Sequence, residues 1–74
     1  MSSELDARGL RCPLPVLKAR KALKSVPIGE SLTVLATDPG APGDFVHFCD
    51  TTGHELIGTE QHADHMAITI RRRV

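Results

Sequence analysis

Tryptophan and tyrosine are absent from these 74 residues, and Phe45 and Phe48 are the only phenylalanines. Without a platform of stacking rings, sequence-specific reading of nucleic acid is not expected. No apolar run approaches the roughly 20 residues of a membrane-spanning helix. The start, Met1-Ser2-Ser3-Glu4-Leu5-Asp6, lacks the basic and apolar stretches of a secretion signal. The expected setting is the cytoplasm, with no membrane partner. Cysteine is scarce too: Cys12 and Cys49 stand too far apart for a Cys-x-x-Cys redox or zinc pattern, and two are few for a disulfide-stapled secreted domain. They read as separate thiols. With no triad, metal cage or phosphate loop in view, neither a cofactor nor a metal is expected.

What is present suits one small folded unit. Hydrophobic residues make up 41% and charged residues 24%, an ordinary globular mix, and 74 residues allow a single domain, taken as 1–74. The zero net charge hides an uneven distribution. Before Pro27, Arg8, Arg11, Lys18, Arg20, Lys21 and Lys24 outweigh Glu4 and Asp6, whereas residues 28–70 hold seven acids and no Lys or Arg. Arg71, Arg72 and Arg73 follow, expected as a solvated strand end or an extension of the basic surface.

Hydrophobic periodicity divides the chain into six elements. Leu5 and Ala7 alternate with charged residues as a short strand that stops at Gly9. Pro13 to about Ser25 reads as an amphipathic helix with Val16, Leu17, Ala19, Ala22 and Leu23 inward and Lys18 and Lys21 opposite. Leu32, Val34 and Ala36 mark a second strand, after which Asp38-Pro39-Gly40 has turn chemistry. Phe45, Phe48 and Cys49 at i, i+3, i+4 predict a second helix from about Pro42 to Thr51, with Gly53 as its left-handed cap. Leu56 to Glu60 and Met66 to Arg72 read as two strands joined by Gln61-His62-Ala63-Asp64. The order β-α-β-α-β-β favours a two-layer α/β sandwich: a mixed four-stranded sheet with both helices on one face.

The chemically informative position is Cys12. Followed by Pro13-Leu14-Pro15, it stands where the first helix should begin, as its N-cap with Pro13 at the first helical position and Pro15 at the third. The positive end of the helix dipole, with Arg8, Arg11 and Lys18 nearby, would favour a thiolate, and cysteines in such settings titrate at roughly 3.5 to 7.5. The bland alternative is that Cys-Pro merely starts a helix, although Ser, Asp or Asn would cap better. Leu14 falls on the polar side of the wheel, free to meet a partner, and Pro15 is expected to act as a rigid support for the sulfur at little consequence for stability.

Leu5-Asp6-Ala7-Arg8-Gly9-Leu10-Arg11-Cys12-Pro13-Leu14-Pro15 resembles the signature of the TusA/SirA-like sulfur carriers, whose Cys-Pro-x-Pro motif opens the first helix. Thr37-Asp38-Pro39-Gly40, Asp44 and Gly53-His54-Glu55-Leu56 are similar to later landmarks of that family, so the likeness runs through nearly the whole chain. The resemblance implies the same two-layer β-α-β-α-β-β sandwich and a sulfurtransferase acting as a persulfide carrier. Cys12 would take sulfur from a donor protein, a cysteine desulfurase or rhodanese-like protein, and pass it to an acceptor protein. Whether that sulfur ends in tRNA thiolation, molybdenum cofactor or sulfur oxidation would depend on the acceptor. Arg8, Arg11, Lys18 and Lys21 would form a cationic docking surface with Leu14 as an exposed contact, Pro13 and Pro15 would support the sulfur by starting and stiffening the helix, and the free protein would be a monomer. The alternative from another class is a non-catalytic regulatory or adaptor module that binds a protein through its basic first helix.

Cys49, on the face of Phe45 and Phe48, reads as a small buried hydrophobe. His62 and His65, at a hairpin turn without a third ligand, read as solvated turn residues. The sequence assigns no role to His47 or His54.

Overall fold

The computed structural model describes residues 3–74; Met1 and Ser2, the first residues of the stretch judged for a leader, lie outside them. The elements are β1 (Ser3–Ala7), α1 (Leu14–Leu23), β2 (Ser31–Ala36), α2 (Ala41–Thr52), β3 (Glu55–Gln61) and β4 (Met66–Arg71). They form one mixed sheet in the order β1-β2-β4-β3. β1 pairs parallel with β2, Leu5 beside Val34 and Ala7 beside Ala36. β4 runs antiparallel to both of its neighbours, so β3 points the same way as β2. Each helix therefore connects two strands of like direction, and a connection of that kind must cross a face of the sheet.

Strict alternation decides which face. Leu32, Val34 and Ala36 are buried and lie opposite Ile70, Ile68 and Met66, also buried. Onto this stripe α1 places Pro15, Ala19 and Leu23, and α2 places Ala41, Phe45, Phe48 and Cys49. Phe45 and Phe48 meet edge to face at 6.4 Å between centroids. A helix on the other face would have to cover Thr33 and Thr69, which instead share a hydroxyl contact of 3.2 Å between half-buried side chains. Gly53 adopts φ +88° and its N–H donates to the Cys49 carbonyl at 3.0 Å, closing α2 with the left-handed turn that glycine permits.

Four local expectations are corrected. α1 begins one residue late: Pro13 is its N-cap (φ −98°, ψ 17°), Leu14 is the first helical residue and Pro15 the second, so Cys12 lies in the preceding loop. Leu17 points outward, 52% exposed, because the buried stripe is centred on Ala19 and a residue two positions away lies about 200° round the helix. The same rotation buries Pro15 completely; its ring is core. Arg72 is not simply solvated. Its Nη1 donates to the carbonyls of Leu23 (3.2 Å) and Val26 (2.8 Å), pinning the turn that follows α1, where the Leu23 carbonyl also accepts the Val26 N–H at 3.0 Å. Arg71 and Arg73 pair with Glu55.

Candidate functional site

Because β1 and β2 are parallel and paired in register, the segments that leave them, 8–13 and 37–40, emerge side by side at the carboxyl ends of the strands. In open α/β sheets that is where ligands and chemistry gather. The two segments are tied together. Gly9 N–H donates to Thr37 Oγ1 at 2.9 Å, and Cys12 N–H donates to Asp38 Oδ2 at 2.6 Å. Asp38 also accepts through its carbonyl from Ala41 N–H at 3.0 Å, holding the turn that starts α2. Gly40 lies against the cysteine: a Cβ there would stand 3.6 Å from Cys12 Cβ and 3.8 Å from Sγ. The Cys12–Pro13 peptide bond is cis.

The thiol itself is exposed and donates to Asp44 Oδ2, a carboxylate on the first turn of α2. Its charge environment reverses the sequence-based expectation. The Cys12 pKa is pushed up to about 11, first by the hydrogen bond to Asp44, then by desolvation and by the negative charges of Asp44 and Asp38. Of the three cations expected beside the thiol, two are engaged elsewhere. Arg8 donates to Asp6 through Nε (2.9 Å) and Nη2 (3.2 Å), which holds Asp6 down at about 2, and Lys18 Nζ donates to the Asp6 carbonyl at 3.2 Å. Two acids brought in by the β2–α2 connection thus outweigh the helix start. At neutral pH Cys12 is a thiol hydrogen-bonded to a carboxylate.

Beside it, a groove of about 280 Å³ runs between the helices, lined by Pro13, Val16, Arg20, Asp44, His47, Phe48 and Thr51. The outward stripe of α1 carries Leu14, 48% exposed, with Leu17, Lys18 and Lys21; Arg11 is exposed next to the thiol. Arg11, Leu14 and Lys21 are thus exposed on this side of the molecule, whereas Pro15 is buried and both Arg8 and Lys18 bond Asp6, Arg8 through its carboxylate and Lys18 through its carbonyl. Asp44 and Asp38, named in the sequence only as a landmark and a turn residue, are the side chains that hold the cysteine. Their spacing in Asp38-Pro39-Gly40-Ala41-Pro42-Gly43-Asp44 was visible, but only the parallel pairing of β1 with β2 brings them to the sulfur.

The remaining candidates lie apart. Cys49 is buried, and burial pushes its thiol pKa up. His54 packs on Phe48 and accepts the Arg73 N–H through Nδ1 at 3.2 Å; burial, then Arg72, pull its pKa down. His62 and His65 stack at 4.8 Å over the β3–β4 turn, each beside a carboxylate, Glu60 at 3.2 Å and Asp64 at 2.7 Å. Among the described residues no three His, Cys, Asp or Glu side chains are grouped to hold a metal ion.

The family profile described as Sulfurtransferase TusA matches residues 3–72. The chain belongs to the TusA family. A sulfur carrier protein TusA of Allochromatium vinosum is 44% identical over 69 residues, covering 93% of this chain and 91% of its own. A relative in Neisseria meningitidis is 49% identical over 74 residues, 99% of this chain and all of its own. The crystal structure of a SirA-like protein from Desulfitobacterium hafniense superposes with a TM-score of 0.82 at 27% identity, over the whole of both chains. The expected family and sandwich are both found. As a TusA family member the chain is a sulfur carrier in a sulfur relay, and a relay requires a donor and an acceptor protein.

Proposed function

We propose that Cys12 is the residue that carries the sulfur, as a persulfide, between a donor protein and an acceptor protein. The observation that carries this reading is the contrast between the two thiols. Cys12 stands exposed at the junction of two loops, its backbone N–H and its sulfur each held by a carboxylate, whereas Cys49 is sealed between α2 and the sheet. The sulfur of a carrier must be reached by two proteins in turn, and only Cys12 can be.

Docking falls to the surface next to the thiol. Leu14 and Leu17 present apolar area, Lys18, Lys21 and Arg11 surround it with positive charge, and complementary acids on a partner would steer encounter. A cysteine desulfurase or a rhodanese-like protein suits the donor role, since each forms a cysteine persulfide. Residues 1–74 act as one sulfur-carrier domain, monomeric when free, in the cytoplasm, where two unpaired thiols persist. The adaptor alternative leaves the exposed thiol and its two carboxylates without a purpose.

The test is a relay with labelled sulfur. A desulfurase loaded from labelled cysteine should transfer label to the wild-type chain and to Cys49→Ser, and adding an acceptor should remove it. Label on Cys12→Ser at wild-type yield would sink the proposal.

A further inference from the structure

Cys12 Sγ and Asp44 Oδ2 are in direct hydrogen-bond contact, although one precedes α1 and the other opens α2. A thiol and a carboxylate so joined form a nucleophile with its base. We propose that the Asp44 carboxylate is the proton acceptor and donor of sulfur exchange at Cys12. The inference rests on Cys12 as the carrying residue.

On uptake from a persulfide R–S–SH, Cys12 Sγ bonds to the outer sulfur while the donor's S–S bond breaks, its electron pair leaving on the R–S sulfur. The Cys12 thiol proton passes to Asp44 Oδ2 and from there to the departing R–S⁻. The products are Cys12–S–SH, R–SH and the restored carboxylate. No external oxidant or reductant enters. Delivery is the same step in reverse, with the acceptor thiol in the place of R–SH: its proton passes to Asp44 and then to the Cys12 sulfur as that sulfur leaves.

The surroundings support a local base. A thiol whose pKa is pushed up to about 11 supplies little free thiolate at neutral pH, so attack that depends on prior ionisation would be slow. Transfer of the proton during bond formation removes that dependence, and general-base assistance of this kind is worth about 10²–10⁴-fold. The charged groups that face the sulfur are few. Asp38 is committed to the Cys12 N–H, Arg11 adjoins it in the chain, and His47 and Arg20 line the groove beyond Asp44; Arg8 and Lys18 are engaged with Asp6. Asp44 alone among them is bonded to the sulfur.

The experiment follows single-turnover sulfur uptake from glutathione persulfide at a series of pH values, with intact mass locating the sulfur on Cys12. It compares the wild type, Asp44→Asn, Asp44→Glu and, as a control on the exposed side of α2, Asp50→Asn. Alkylation by iodoacetamide is measured in parallel. Asp44→Asn should slow uptake about 100-fold at pH 7 and make it climb about tenfold per pH unit, following thiolate formation. Its alkylation midpoint should meanwhile fall, because the negative neighbour is gone. Asp44→Glu should recover most of the uptake, and Asp50→Asn should match the wild type. Uptake by Asp44→Asn as fast as, or faster than, wild type at neutral pH would overturn the inference and show that the carboxylate only suppresses ionisation. If the wild type gains no sulfur at Cys12, the carrier reading falls and this inference with it; if it does and Asp44→Asn behaves identically, only the inference falls.

Discussion

Pro15→Ala separates a structural proline from a functional one. Pro15 is wholly buried against the sheet at the second position of α1. Alanine removes two ring methylenes from the core, about 0.8 kcal/mol each, and frees the unfolded chain by about 0.4–1 kcal/mol. The restored N–H lies in the first turn, where donors have no partner within the helix, so it adds no bond to offset the loss. The helix-interior penalty of proline does not apply there, so its removal brings little relief. The balance is a loss of about 2–3 kcal/mol. A 74-residue domain at about 0.05–0.15 kcal/mol per residue has only some 4–11 kcal/mol in all. The melting temperature should then drop by about 8–24 °C. Urea unfolding of both proteins, followed by circular dichroism, measures it: the midpoint should fall with the slope unchanged. A change below about 0.5 kcal/mol would refute the reasoning and show that the cavity collapses without cost.

Cys12 should alkylate slowly at neutral pH, with a midpoint near 11 rather than 9.0; an iodoacetamide rate profile centred below 9 would contradict the contact with Asp44. Because folding raises this pKa, the thiol–carboxylate contact contributes to stability below pH 9 and the contribution is lost as the pH rises through 11, so unfolding midpoints should decline across that window and Asp44→Asn should lessen the decline. Leu17→Ser, on an exposed position, should shift stability by no more than about 0.5 kcal/mol while weakening transfer from a donor protein. Lys18→Glu with Lys21→Glu should slow transfer and flatten its salt dependence; a salt-indifferent wild-type rate would show that docking is apolar alone.

Most of the fold was legible because it rests on short-range periodicity. Leu32, Val34 and Ala36 alternate, Phe45, Phe48 and Cys49 recur at helical spacing, and Gly53 stands where a left-handed cap is needed; all six elements follow from such local signals. The misplaced details are those that tertiary packing decides. Leu17 faces outward and Pro15 inward, and a wheel drawn from apolar residues alone cannot tell which of them meets the sheet. Arg72 found the end of α1 from the far end of the chain, a contact that no local pattern foretells. At the site, the cysteine and its proline-rich flank were readable, but its electrostatics were not. The helix start and the basic residues before Pro27 pointed to an acidic thiol. Asp38 and Asp44, remote in sequence and next to the sulfur in space, turn it into a protonated one.

The measurement that tests the central claim most directly is the location of the transferred sulfur. The native chain is incubated with a persulfide-loaded donor protein, its remaining thiols are blocked, and peptides are mapped by mass spectrometry before and after reduction. The account predicts one added sulfur atom on the peptide containing Cys12, removable by reductant, and none on the peptide containing Cys49. Sulfur on Cys49, or on neither cysteine while transfer to the acceptor continues, would contradict it.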